Sequence, residues 1–139
     1  MSIRKKTEKA FADLISENVA CPVYVGTRGE VAEHPCVVVV MTGSEEMPPN
    51  TGNVSADMVV SVQGTIDEAI KNSMSYFDEV VEQVQGVLMF DDLASDLSAK
   101  VADFTCIGIM GRTGPTTEID DGENMIAEVF NVNALVGQF

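Results

Sequence analysis

The sequence predicts an α+β domain, in which a mainly antiparallel sheet of four to five strands, with a mixed sheet also allowed, carries two main helices packed on one face. Three observations predict it. Apolar residues recur at helical spacing near the amino terminus and again across residues 66–88, strand-like runs lie between and after those stretches, and Gly- and Pro-rich segments separate the runs. Strands and helices that are grouped rather than strictly alternating favour α+β over a parallel α/β arrangement. With 139 residues, 45% hydrophobic and 22% charged, the chain suits one domain over residues 1–139, with more apolar material than a disordered chain holds.

From Ile3 to Val19, the residues Phe11, Leu14, Ile15 and Val19 share one helical face, and Ser2 can cap the start. Cys21-Pro22 ends this helix, and Val23-Tyr24-Val25 forms a brief β-rich run before the turn from Gly26 to Gly29. Cys36 to Met41 is β-branched nearly throughout and too short for a helix. It reads as a strand covered on both faces, the most buried of the set. Thr42 to Asn53 contains Gly43, Pro48, Pro49 and Gly52 without periodicity and reads as a long loop, a class of segment that commonly carries function.

Val54 to Gln63 alternates, with Val54, Ala56, Met58, Val60 and Val62 on one face. Gly64 ends that strand, and Thr65-Ile66-Asp67-Glu68 fits a capping box, in which hydroxyl and carboxylate satisfy orphan amides at a helix start. The helix that follows carries Ile66, Ala69, Ile70, Met74, Phe77, Val80, Val81, Val84, Val87 and Leu88 as one stripe. Gly86 costs roughly 1 kcal/mol relative to Ala there, which predicts a kink in the last turn. A short helical turn around Asp92 to Leu97 comes next. Phe104 to Met110 and Met125 to Val136 are the last strands, the latter with Ile126, Phe130, Val132, Ala134 and Val136 on one face. Gly111 to Gly122, rich in Gly, Pro, Thr and Asp, reads as a second long loop.

The net charge is -14, and Arg4, Lys5, Lys6 and Lys9 supply half of the eight basic residues, so the body is strongly anionic. Such a surface repels phosphate, which argues against duplex binding. It suits a passage through which DNA slides without sticking, although simple solubility is the plainer and favoured reading of such a charge. No apolar run is long enough to span a bilayer, and no apolar stretch follows the basic amino terminus, so neither membrane insertion nor a secretory signal is expected. Cys21, Cys36 and Cys106 are odd in number and far apart, and read as reduced, buried small hydrophobes. His34 has no ligand partner at metal spacing, and the glycine pairs match no phosphate-binding loop. Glu118, Asp120, Asp121 and Glu123 are the best candidate for a cation site, but their spacing does not fit an EF-hand, and a solvated turn is the simpler reading. No catalytic residue, metal or cofactor is expected.

The order of elements resembles that of the tail terminator, or tail completion, proteins of long-tailed phages, of the lambda-like kind. The resemblance rests on the amphipathic first helix, a short strand, and then Pro35-Cys36-Val37-Val38-Val39-Val40-Met41-Thr42-Gly43-Ser44-Glu45-Glu46. An alternating strand with Asp57 near its start, a long helix after Gly64, the acidic turns Asp91-Asp92-Leu93 and Asp96-Leu97, and two final strands complete it. Ala134 to Phe139 departs from the more aromatic finish of the lambda-like pattern. The resemblance implies a structural protein rather than an enzyme. It implies a hexameric ring that stacks on the tail tube protein, stops its polymerisation and offers a surface to the head connector or head completion protein, with DNA passing through unread. Such a protein resides in the host cytoplasm during assembly and then at the tail-neck junction of the virion.

The two expected loops supply the candidate contacts: Thr42, Glu45, Glu46, Met47, Pro48, Pro49 and Asn50 from the first, and Arg112, Thr113, Pro115, Thr116, Asp120 and Asp121 from the second. Arg4, Lys5, Lys6 and Lys9 form a basic cluster able to pair with an acidic neighbour, or simply a solvated helix face. Copies at -14 each repel one another, so salt or divalent cations should favour the ring. Two other readings remain open: another neck or head-to-tail connector protein, and an acidic inhibitor that mimics DNA, which would be monomeric or dimeric.

Overall fold

Ser2 accepts a hydrogen bond from the Lys5 amide and so opens α1, Ile3–Ser16, in the computed structural model, which describes residues 2–26, 35–46, 52–66 and 75–138. Ala10, Phe11, Leu14 and Ile15 of α1 are buried, as their spacing requires. The helix stops short of Val19. The Asn18 side chain donates to the Leu14 carbonyl at 2.8 Å, a local side-chain bond that competes with helix continuation.

The remaining elements are β1 (Val23–Val25), β2 (Cys36–Glu46), β3 (Val54–Thr65), α2 (Ser75–Leu88), α3 (Leu93–Ser98), β4 (Thr105–Asp120) and β5 (Met125–Gly137). They build a five-stranded sheet in the order β1-β2-β3-β5-β4, with β1 parallel to β2 and every other pair antiparallel. This is the expected α+β fold, with a mixed sheet. The three helices given above lie on one face among the described residues: α1 packs on β1 and β2, α2 on β3, and α3 on β4.

Alternation decides which side chains meet those helices. Val37, Val39 and Met41 of β2, Ala56, Met58, Val60 and Val62 of β3, and Ile126, Phe130, Val132, Ala134 and Val136 of β5 all enter the core. They pack against Phe11 and Ile15 of α1, Phe77, Val80, Val84 and Leu88 of α2, and Leu93 and Leu97 of α3. At about 1.5–3 kcal/mol for each large side chain, this single layer between sheet and helices holds most of the folding free energy. Gly64 lets the sheet and α2 approach closely, since a Cβ there would stand 3.0 Å from the Phe77 ring.

Parts of both expected loops are strand. Residues 42–46 continue β2 after a register shift between Met41 and Gly43, with Ser44 opposite Ala56 and Glu46 opposite Val54. Residues 111–120 continue β4, which reaches Asp120 through three register shifts, and the connecting turn is confined to residues 121–124. In both cases the strand is polar because it is solvent-exposed. Its glycines and its proline sit at bulges on sheet edges, where the ladder tolerates them. The helix predicted from the capping box is described from Ser75 onward and continues past Gly86 to Leu88. Thr65 closes β3 opposite Met125, Ile66 donates its amide to the Asn124 carbonyl, and the rest of the capping box lies outside the described residues, as does His34.

Candidate assembly interface

The predicted basic cluster lies on α1, and much of it serves this chain's own fold. Beyond the end of β1, which pairs only as far as Val25 with Val39, no strand of the described residues lies beside the outer backbone of β2. At Met41 two side chains of α1 take the place of one. The Glu8 carboxylate, 5% exposed, accepts the Met41 N–H at 3.0 Å, and Arg4 Nη2 donates to the Met41 carbonyl at 2.8 Å. Arg4 Nε stands 3.8 Å from the same carboxylate, so the buried charge is paired as well as hydrogen-bonded. Lys6 Nζ donates to the Asp103 carbonyl at 3.0 Å, and Lys9 pairs with Asp13 at 2.7 Å. The Lys5 ammonium meets no partner among the described residues.

On the far side of the sheet no helix of the described residues covers the strands. There Asp57 stands opposite Gly43 on one side and Asn133 on the other, and Asn133 stands opposite Gly111. Asn133 Nδ2 donates to Asp57 Oδ1 at 2.6 Å and to Ser55 Oγ at 3.0 Å, while Thr42 Oγ1 donates to the Asp57 carbonyl at 3.3 Å. Thr42, Asp57, Asn131 and Asn133, with Gly111, Arg112 and Thr113, line a shallow depression that draws on β2, β3, β5 and β4. Thr42 and Thr113, from the two segments singled out in the sequence, thus come together. Ser55, Asp57, Asn131 and Asn133 were not anticipated as site residues. Their signal was the polar half of two alternating strands.

The third surface is β4 itself, exposed over nearly all of its second half. Arg112 reaches toward α2: Nη1 donates to the carbonyl of Leu88, the last residue of that helix, at 3.0 Å and to that of Phe90 just beyond it at 2.8 Å. Gly114 has a φ of +121°, and a Cβ there would fall 2.7 Å from the Val129 carbonyl oxygen, so β4 presses on β5 where only glycine fits. The Gly114–Pro115 peptide is cis, and Thr116 resumes the ladder opposite Val129. Asp120 Oδ1 accepts the Glu123 amide at 3.2 Å and closes the turn in which Asp121 also lies. Glu45 and Glu46 are exposed at the end of β2, while Met47, Pro48, Pro49 and Asn50 lie outside the described residues.

Among the described residues no three metal-binding side chains gather at one place, and no helix is long and apolar enough to cross a membrane. The three cysteines are free and buried. Loss of water around the sulfur pushes the Cys36 thiol up to about 12 and the Cys106 thiol up to about 11, and raises that of Cys21.

No protein-family model and no curated protein matches the chain. Among solved structures it is similar to a chain in the virion of a native gene transfer agent particle, at 16% identity and a TM-score of 0.47, over 96% of this chain and 92% of that one.

Proposed function

We propose that this chain is a structural virion protein, not an enzyme, which caps the tail tube of a long-tailed phage as a self-assembled ring. Capping ends tube polymerisation and presents a surface to the head connector or head completion protein. The observation that carries the reading is the polar row of Thr42, Asp57, Asn133 and Thr113 on the sheet face that none of the described helices covers, beside the exposed second half of β4. A broad, shallow, polar surface of this kind suits protein neighbours better than a small substrate, which is held in a concave and mostly apolar pocket.

The charges fit passage of DNA through such a ring. Glu45, Asp57, Glu118 and Asp120 alternate onto the uncovered face, whereas Arg4, Lys5, Lys6 and Lys9 lie on α1, Lys100 pairs with Glu17, and Arg112 reaches toward α2. A face that holds these carboxylates, and that of the six described cations only Arg112 borders, with its guanidinium engaged by the Leu88 and Phe90 carbonyls, repels phosphate rather than binding it. Assembly would take place in the host cytoplasm and the ring would remain at the tail-neck junction.

Native mass spectrometry of the purified chain, followed by electron microscopy after mixing with tube protein, tests the proposal. The expected result is a six-membered ring and tubes closed at one end. A chain that stays monomeric or dimeric and leaves tube growth unchanged would instead favour the acidic DNA mimic.

A further inference from the structure

A β-strand at a sheet edge presents a row of unpaired N–H and C=O groups, and soluble proteins cover or interrupt such rows unless another strand is meant to take them. This sheet does cover part of each edge. Arg4 and Glu8 take the backbone of Met41 beyond β1, and on the opposite edge Ser98 Oγ accepts the Cys106 amide at 2.8 Å and donates to its carbonyl at 3.3 Å. Among the described residues two runs are left over. Past Gly108 no partner among the described residues reaches the outer backbone of β4; Met110 stands 57% exposed along it, and Ile107 just before it 47%. At the other edge, Pro22 and Gly26 bond inward to β2, so by alternation Val23 and Val25 turn their backbone groups outward, with Val25 41% exposed.

Charge singles out the same two runs. In a chain of net charge -14, residues 105–117 contain no Asp or Glu, and neither does β1. Copies that repel one another over most of their surface can therefore approach at these edges without stacking carboxylate on carboxylate. The edges lie at opposite ends of one sheet, so joining them is a head-to-tail contact, the kind that repeats and closes into a ring. A β4-to-β4 contact would be two-fold and stop at a pair.

We infer that the outer edge of β4 in one copy pairs with β1 of the next, so that the five-stranded sheets run on from subunit to subunit. The inference rests on the ring proposed above and names its interface. The occupant of each edge is a second copy of this chain.

Cross-linking between copies tests it. Val25→Cys and Met110→Cys chains are prepared separately and treated with a short bismaleimide, with the wild-type chain, whose three thiols are buried, as control. A mixture of the two variants should give cross-linked pairs, each variant alone none, and the chain carrying both substitutions a ladder ending at the ring size. Cross-linking of Met110→Cys alone would show the two-fold contact and overturn the inference, as would rings that form without any Val25→Cys to Met110→Cys product. As a second arm, Met110→Glu should raise the concentration needed for assembly at least about tenfold while circular dichroism and Tm stay close to wild type. Unchanged assembly would count against the interface. Absence of rings from the wild-type chain, alone and with tube protein, would instead remove the reading on which the interface rests.

Discussion

Glu8 is the most consequential polar residue of the fold, because it gives up nearly all of its water to hold the amide of Met41. Removing the carboxylate leaves a buried N–H unsatisfied and strips Arg4 of its partner. Glu8→Ala should therefore destabilise the chain by about 2–3 kcal/mol in urea unfolding, and Glu8→Gln, which keeps an acceptor, by about half as much. Equal losses for the two variants would mean that the charge, not the hydrogen bond, matters. The cysteines make a second prediction at this scale. Burial raises all three thiols above their ordinary 9.0, so the folded chain holds those protons more tightly than the unfolded one. The resulting stability is fully present below pH 9 and is lost as pH rises through the folded values, about 11 for Cys106 and about 12 for Cys36. Tm should be flat with respect to the thiols up to pH 9 and fall above it, and iodoacetamide at pH 8 should label the cysteines only after unfolding. Rapid labelling of the native chain would refute this.

Among the elements, those with one face in the core were legible in the sequence. The apolar halves of β3 and β5 and the stripe on α1 stand where their periods put them, because burial leaves a period that composition cannot hide. Exposed strands leave no such mark. Residues 42–46 and 111–120 bury little, so their sequences are free to be polar and glycine-rich, and they read as loops although the ladder runs through them. The candidate site suffered from the same blindness: Thr42 and Thr113 were singled out as loop residues, whereas Asp57 entered only as a mark of the family pattern and Asn133 not at all. Gly114 shows what the edge composition is for. Gly114→Ala forces a Cβ against the Val129 carbonyl at a positive φ, at a cost on the order of 1–3 kcal/mol. Hydrogen exchange should then quicken across residues 113–117 and their β5 partners, with α1 and β2 unaffected. Uniform quickening would mean that the bulge is coupled to the whole core.

At the scale of the whole molecule, two kinds of subunit contact respond to salt in opposite ways. If the α1 cations bound an acidic neighbour, added salt would weaken the assembly, since screening acts on attraction and repulsion alike. Contact through β1 and residues 105–117 contains no carboxylate, and its one cation, Arg112, is already engaged by the end of α2. Screening then removes only the repulsion between bodies of net charge -14 and leaves backbone pairing and apolar burial intact. The fraction assembled should therefore rise steadily between about 20 and about 300 mM NaCl, over which the screening length falls from roughly 20 Å to roughly 6 Å. Magnesium should achieve the same at lower concentration, without a defined stoichiometry, because the described carboxylates do not converge on a site. Light scattering across that series decides the matter: a fall with salt would return the contact to Lys5 and its neighbours, and a rise would leave the uncharged edges as the surfaces that meet.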